Sequence, residues 1–165
     1  MASAGRFRRK SVPVKSRDDL QAGDMIIYPF LWGWEKGRGH TNAWKMRPCV
    51  VLSVFEKDGK KTAAILPITS ADPLPHHRRH DIPYEECDRV SMDPEAGATI
   101  GLNDINFDAI ETSNRIRHKV PMRQFSPEFM SGLLAAFIAA KNEVKVDVIA
   151  REPGDEKEPL AMQPA

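Results

Sequence analysis

Cysteine is scarce in this chain, long apolar runs are absent, and net charge is close to zero. Each lack removes a class of protein. Two cysteines, Cys49 and Cys87, in 165 residues are too few for a disulfide framework, and they are not clustered as metal ligands would be. No apolar stretch approaches the roughly twenty residues that a membrane-spanning helix needs. Residues 1–6 hold no apolar segment of the kind a secretory signal carries. These absences predict a reduced, cytoplasmic protein with no membrane partner. A formal net charge of +1 excludes a global basic field, so any contact with nucleic acid has to come from a local patch. No internal repeat is visible.

What is present fits one domain with a proper core, since 41% of the residues are apolar and the length suffices to bury them. Charge is distributed unevenly. Residues 1–17 carry six cations and no acid and read as a flexible basic arm, either touching nucleic acid or merely solubilising. Residues 151–165 carry two cations against four acids, include prolines, and read as a disordered tail. Residues 18–150 are left as the folded unit.

Residues 45–70, KMRPCVVLSVFEKDGKKTAAILPITS, organise that unit. Two short apolar runs rich in β-branched residues, at 49–55 and 62–68, read as interior strands. Asp58-Gly59 supplies the positive-φ positions of a hairpin turn within a polar six-residue connection. Arg47 enters the first strand, and Thr69 and Ser70 leave the second. An antiparallel pairing therefore predicts a guanidinium and two hydroxyls on one rim of a rigid sheet.

Upstream, residues 25–30 read as an opening strand that ends at Pro29. Residues 31–46 form a long loop with all three tryptophans, and Lys36, Arg38, His40 and Lys45 interleave with Trp32, Trp34 and Trp44. Cations beside aromatic rings suit single-stranded nucleic acid, and the same tryptophans also suit packing of the loop onto the sheet. The three histidines within 76–80 lack the spacing and partners of a metal set, so that segment reads as a solvated basic loop, with a short strand at 81–84. Residues 86–97 read as polar and turn-rich. Residues 98–102 and 107–110 read as two more strands separated by a turn at Asn103-Asp104. A helix is predicted from Ser126-Pro127-Glu128, with Phe129, Met130, Leu133, Leu134, Phe137 and Ile138 on one face. Val144, Val146 and Val148 alternate with charges as an edge strand would, unless the helix continues.

Gly23-Asp24 before a strand, then Arg47-Pro48 opening an apolar strand and Pro67-Ile68-Thr69-Ser70 closing its partner, resembles the MazF/PemK toxins of bacterial toxin–antitoxin pairs over roughly residues 22–140. The resemblance implies a mainly β fold, a small SH3-like barrel of the CcdB/PemK type with a C-terminal helix. It implies a homodimer and a metal-independent, cofactor-free endoribonuclease acting on single-stranded mRNA, held in check by a cognate antitoxin. Arg47 and Thr69 match the family's catalytic arginine and threonine. Glu111 follows the later strand where related toxins carry an acidic residue, and is the third catalytic candidate. His40, Trp44, Lys45, Ser70, Asn114 and Arg115 are the RNA-binding candidates. A non-catalytic barrel that grips a protein, as gyrase-poisoning relatives do, or one that binds RNA without cutting it, is the alternative.

Overall fold

A computed structural model describes residues 12–40, 43 and 45–153. The chain is mainly β, with an antiparallel sheet and one long helix near its C-terminus. Its strands are β1 (Val14–Ser16), β2 (Met25–Tyr28), β3 (Arg47–Lys57), β4 (Lys60–Thr69), β5 (Arg79–Asp81), β6 (Thr99–Gly101), β7 (Asp104–Ala109), β8 (Lys119–Pro121) and β9 (Asp147–Ala150), and its helices are α1 (Gly33–Gly37), α2 (Tyr84–Arg89) and α3 (Pro127–Glu143).

The predicted hairpin is the centre of the fold. β3 and β4 pair from Cys49↔Pro67 to Lys57↔Lys60, so the connection is only Asp58-Gly59. Both turn residues have positive φ, 53° and 76°, the primed geometry that matches strand twist. The polar residues expected to form a longer loop instead extend the two strands. β2 flanks β3. β4 is shared: residues 62–65 pair with β7, and Ile68 and Thr69 pair with β6. β5 borders β6, and β9 lies parallel to β7. Among the described residues the seven-stranded ladder has ends at β2, β5 and β9 and does not close on itself, so the mainly β fold with a C-terminal helix forms as expected, but not as a closed barrel.

The sheet nevertheless curls. Tyr28 on β2 donates its hydroxyl to Asp108 Oδ2 on β7 at 2.7 Å, across two intervening strands, which a flat sheet would hold well beyond reach. Inside the curl, Ile26, Tyr28, Cys49, Val51, Ala63 and Ile65 pack with Leu20, Phe30, Ile110, Ile116 and Val120. On the other face, Met25, Val50, Leu52, Ala64, Leu66, Ile68 and Ile105 pack against Leu133, Phe137 and Ala140 of α3. Burial on both faces explains why the strands read as continuous apolar runs rather than alternating ones. Ser126 caps α3, accepting from Phe129 N–H at 3.1 Å, and donates to Glu86 Oε2 at 2.6 Å. The apolar stripe of α3 is narrower than predicted, with Leu134 and Ile138 45% and 50% exposed. The segment read as turn-rich begins as α2, whose Cys87 is buried. The short strand expected at 81–84 lies earlier, as β5. Among the described residues, no helix is long and apolar enough to cross a membrane.

Both predicted tails lose residues to the fold. β1 pairs with β8, and Arg17 is buried, donating to the carbonyls of Ser113 and Ile116 at 2.7 Å and of Glu111 at 2.8 Å. Arg151 is also buried, donating to Pro29 O at 2.8 Å and Asn106 Oδ1 at 2.9 Å. Arg17→Met should lower stability by about 2–4 kcal/mol in urea unfolding, because it strands three carbonyls that the guanidinium holds together. A loss under 1 kcal/mol would mean the 111–116 loop holds its shape unaided.

Candidate functional site: a cleft at the mouth of the curled sheet

Antiparallel pairing sets the site. Continuing the register from Cys49↔Pro67 by two residues puts Arg47, the first residue of β3, across from Thr69, the last of β4. Their side chains share the concave face with Cys49 and Pro67. There the sheet opens into a cleft of about 620 Å³, lined on one side by Trp32, Trp34, Lys45 and Arg47 and on the other by Thr69, Ser70, His77 and Arg79. Mouths of barrel-like sheets are common ligand sites, since strand ends supply rigid polar groups over an apolar floor.

The Arg47 guanidinium lies over the Trp32 ring, 5.2 Å from its centroid. Its Nε is buried and has no hydrogen-bond partner among the described residues. It makes no ion pair with Glu111, one of the bland roles a strand arginine has. A cation backed by an aromatic face and otherwise uncommitted is suited to an anion entering from the cleft. Thr69 is 8% exposed and forms part of the floor. Its Oγ1 accepts from Ala71 N–H at 3.1 Å, which leaves the hydroxyl proton for a ligand oxygen. Ser70 and Lys45 are exposed beside it. Arg79 is fixed by donating to Ala71 O at 3.0 Å and Thr99 Oγ1 at 3.2 Å. His77 Nδ1 accepts from Leu74 N–H at 3.0 Å. Burial, then the nearby His76 and Arg79 charges, lowers its pKa.

No protein-family model matches this chain, and no curated protein is similar to it in sequence.

Of the residues singled out in the sequence, Arg47, Thr69, Ser70 and Lys45 come together in the cleft. Glu111 does not. β7 runs antiparallel to β4, with Thr62↔Ala109 paired, and Ile110 N–H bonds Lys61 O. Glu111 therefore sits at the hairpin end of the sheet, and the cleft lies at the opposite end. Asn114 is exposed on the same distant loop. Arg115 is 4% exposed, its Nη1 3.3 Å from Asp108 Oδ2, and is a core residue inaccessible to RNA. His40 does not line the cleft, and its backbone N–H bonds Glu35 O at 3.0 Å. Trp44 lies outside the described residues. Among those residues, no group of three or more His, Cys, Asp or Glu is placed to hold a metal ion.

The 76–80 segment, a solvated basic loop in the sequence and there a candidate for setting target choice through phosphate contacts, brings His77 and Arg79 to the cleft. Asp104, a turn residue by its sequence, opens β7 and lines the cleft. Its Oδ1 accepts from Gly33 N–H at 2.8 Å, which docks α1, and hence Trp34, at the rim. The approach is close: a Cβ at position 33 would lie 2.0 Å from Asp147 Oδ2 and 2.8 Å from Asp104 Oδ1, so any larger residue would have to displace these carboxylates. Burial, together with the neighbouring Asp147 and Glu35 charges, raises the Asp104 pKa, against the opposing Gly33 hydrogen bond and His76 charge. Trp34, Met46 and Leu74, all on the rim, are 59%, 43% and 57% exposed, so apolar surfaces flank the cations.

Proposed function

We propose that this chain is a metal-independent endoribonuclease of the MazF/PemK type that cuts single-stranded RNA by attack of the ribose 2′-hydroxyl. The observation that carries the reading is the Arg47 guanidinium, without an ion pair among the described residues, stacked on Trp32 and sharing one accessible cleft with the Thr69 hydroxyl. Arg47 clamps the scissile phosphate bidentately, Thr69 donates to a non-bridging oxygen, and Lys45 and Arg79 hold flanking phosphates. Trp34 and its apolar neighbours take unpaired bases by stacking. On this reading the curled sheet is a variant of the SH3-like barrel. The protein is a cytoplasmic toxin, a homodimer whose antitoxin covers the cleft.

Incubation of the purified chain with end-labelled RNA in EDTA tests the proposal. Products ending in 2′,3′-cyclic phosphate are expected, with DNA of the same sequence left intact, because deoxyribose lacks the nucleophile. Intact but retarded RNA would leave only a binding role. No interaction at all would favour the second reading, a grip on a protein target, for which the exposed Trp34–Met46–Leu74 rim also suffices.

A further inference from the structure

A threonine hydroxyl turns freely unless a neighbour fixes it, so a Thr69 that donates to phosphate needs something to aim it. Two paths run from Thr69 to one guanidinium. Thr69 Oγ1 accepts from Ala71 N–H at 3.1 Å, and the Ala71 carbonyl accepts from Arg79 Nη1 at 3.0 Å. Arg79 Nη1 also donates to Thr99 Oγ1 at 3.2 Å, and Thr99 Oγ1 donates to Thr69 O at a longer 3.5 Å. Strand pairing makes this ring possible. Thr99 on β6 lies opposite Thr69 on β4, and β5, which borders β6, brings Arg79 to the same cleft wall. Residues 70–76 between them are all exposed, so packing does little to hold Ala71 in place. The far end of this connection has its own anchors, Leu74 N–H on His77 Nδ1 and His76 O on Asn103 Nδ2. At the Thr69 end the anchor is Arg79.

We infer that Arg79 is a positioning residue for the Thr69 hydroxyl, acting through the backbone of Ala71. The inference rests on the endoribonuclease reading and adds to the contact of Arg79 with a flanking phosphate. Ala71 N–H occupies one lone pair of Thr69 Oγ1, which turns the hydroxyl proton away from that N–H and leaves it for a ligand oxygen. Arg79 holds the Ala71 carbonyl, and so keeps the N–H of the same residue on Thr69. Without the guanidinium, an exposed segment carries Ala71, and the hydroxyl is free to turn its proton to water or to a backbone carbonyl. A donor aimed before the substrate arrives costs no reorganisation during the reaction.

Single-turnover cleavage at saturating protein separates positioning from binding. Arg79→Met keeps the side-chain stem and removes its donors. Its saturated rate should fall about tenfold, part of the roughly hundredfold or greater loss that follows removal of an anion-stabilising donor outright. A lost flanking phosphate shows separately, as weaker affinity for the same RNA carrying a 2′-deoxy substitution at the cut site. Thr69→Val removes the hydroxyl at nearly constant shape. In that background Arg79→Met should change the saturated rate little, because the group it positions is already gone. Arg79→Lys keeps charge and donors, and should recover part of the rate only where Thr69 is present. If Arg79→Met loses affinity alone, or costs the same rate with and without the Thr69 hydroxyl, the positioning role is overturned and the nuclease stands. The same holds if Thr69→Val cleaves as fast as wild type. If the wild-type chain does not cleave RNA, both readings fall.

Discussion

Arg47→Ala is expected to reduce RNA cleavage about 10³-fold, on the scale of removing an arginine that stabilises a phosphoryl transition state. The size follows from what the guanidinium lacks. Among the described residues it forms no ion pair, its Nε has no hydrogen-bond partner, and the guanidinium lies over the Trp32 ring. Its removal therefore deprives the ligand and not the fold. Stability should change by only about 1 kcal/mol, the worth of an exposed or half-exposed stacking contact. Arg47→Lys keeps the charge but loses the planar fork and most of the stacking, so it should recover only a minor part of the rate. RNA affinity should weaken uniformly across sequences, and its dependence on salt should drop by about one phosphate contact. A folded Arg47→Ala protein that cleaves within threefold of wild type would remove the phosphate clamp from the mechanism.

Legibility in this sequence followed locality. The β3–β4 hairpin could be read because its turn, its strands and its polar ends lie within 26 consecutive residues, and antiparallel pairing converts that local pattern into the meeting of Arg47 and Thr69. Non-local pairing hid the rest. Asp104 follows an asparagine and resembles turn chemistry, and only the pairing of β7 with β4 brings it to the cleft. The same pairing carries Glu111 away, because a residue after an antiparallel neighbour lies at that neighbour's opposite end. Arg17 and Arg151 sit in charged, proline-bearing stretches that look like solvated tails. Their partners are carbonyls and an amide about 45 to 120 residues distant in sequence, which no local pattern announces. On α3 the helical spacing predicted six apolar residues facing inward, but the helix buries only a narrow stripe against the sheet, leaving Leu134 and Ile138 in solvent.

Asp108→Ala should cost about 3–5 kcal/mol of stability, the scale expected when one member of a buried charge pair is removed and the other left behind. Asp108 is 2% exposed on β7, inside the curl. Its Oδ2 accepts from Tyr28 Oη at 2.7 Å and Ser113 Oγ at 3.1 Å, and Arg115 Nη1 lies 3.3 Å away. One carboxylate therefore ties β2, β7 and the 111–116 loop together across the interior. Alanine would leave a buried phenol, a hydroxyl and a guanidinium competing for fewer acceptors. Asp108→Asn should be much milder, because it retains an oxygen for Tyr28 and Ser113. Its effect should also depend on pH. Burial raises the Asp108 carboxyl pKa more than Arg115 and the hydrogen bonds lower it. The folded state then holds the proton more tightly than the unfolded one, and wild type loses stability as pH rises from the unfolded carboxylate range through the folded value. The asparagine variant has no such proton, so its stability relative to wild type should improve over that window and then level off. Urea titrations of the two proteins at a series of pH values measure the difference directly. A gap that widens in the other direction would mean that Arg115 outweighs burial at this site, and that the charge pair, not the hydrogen bonds, closes the curl.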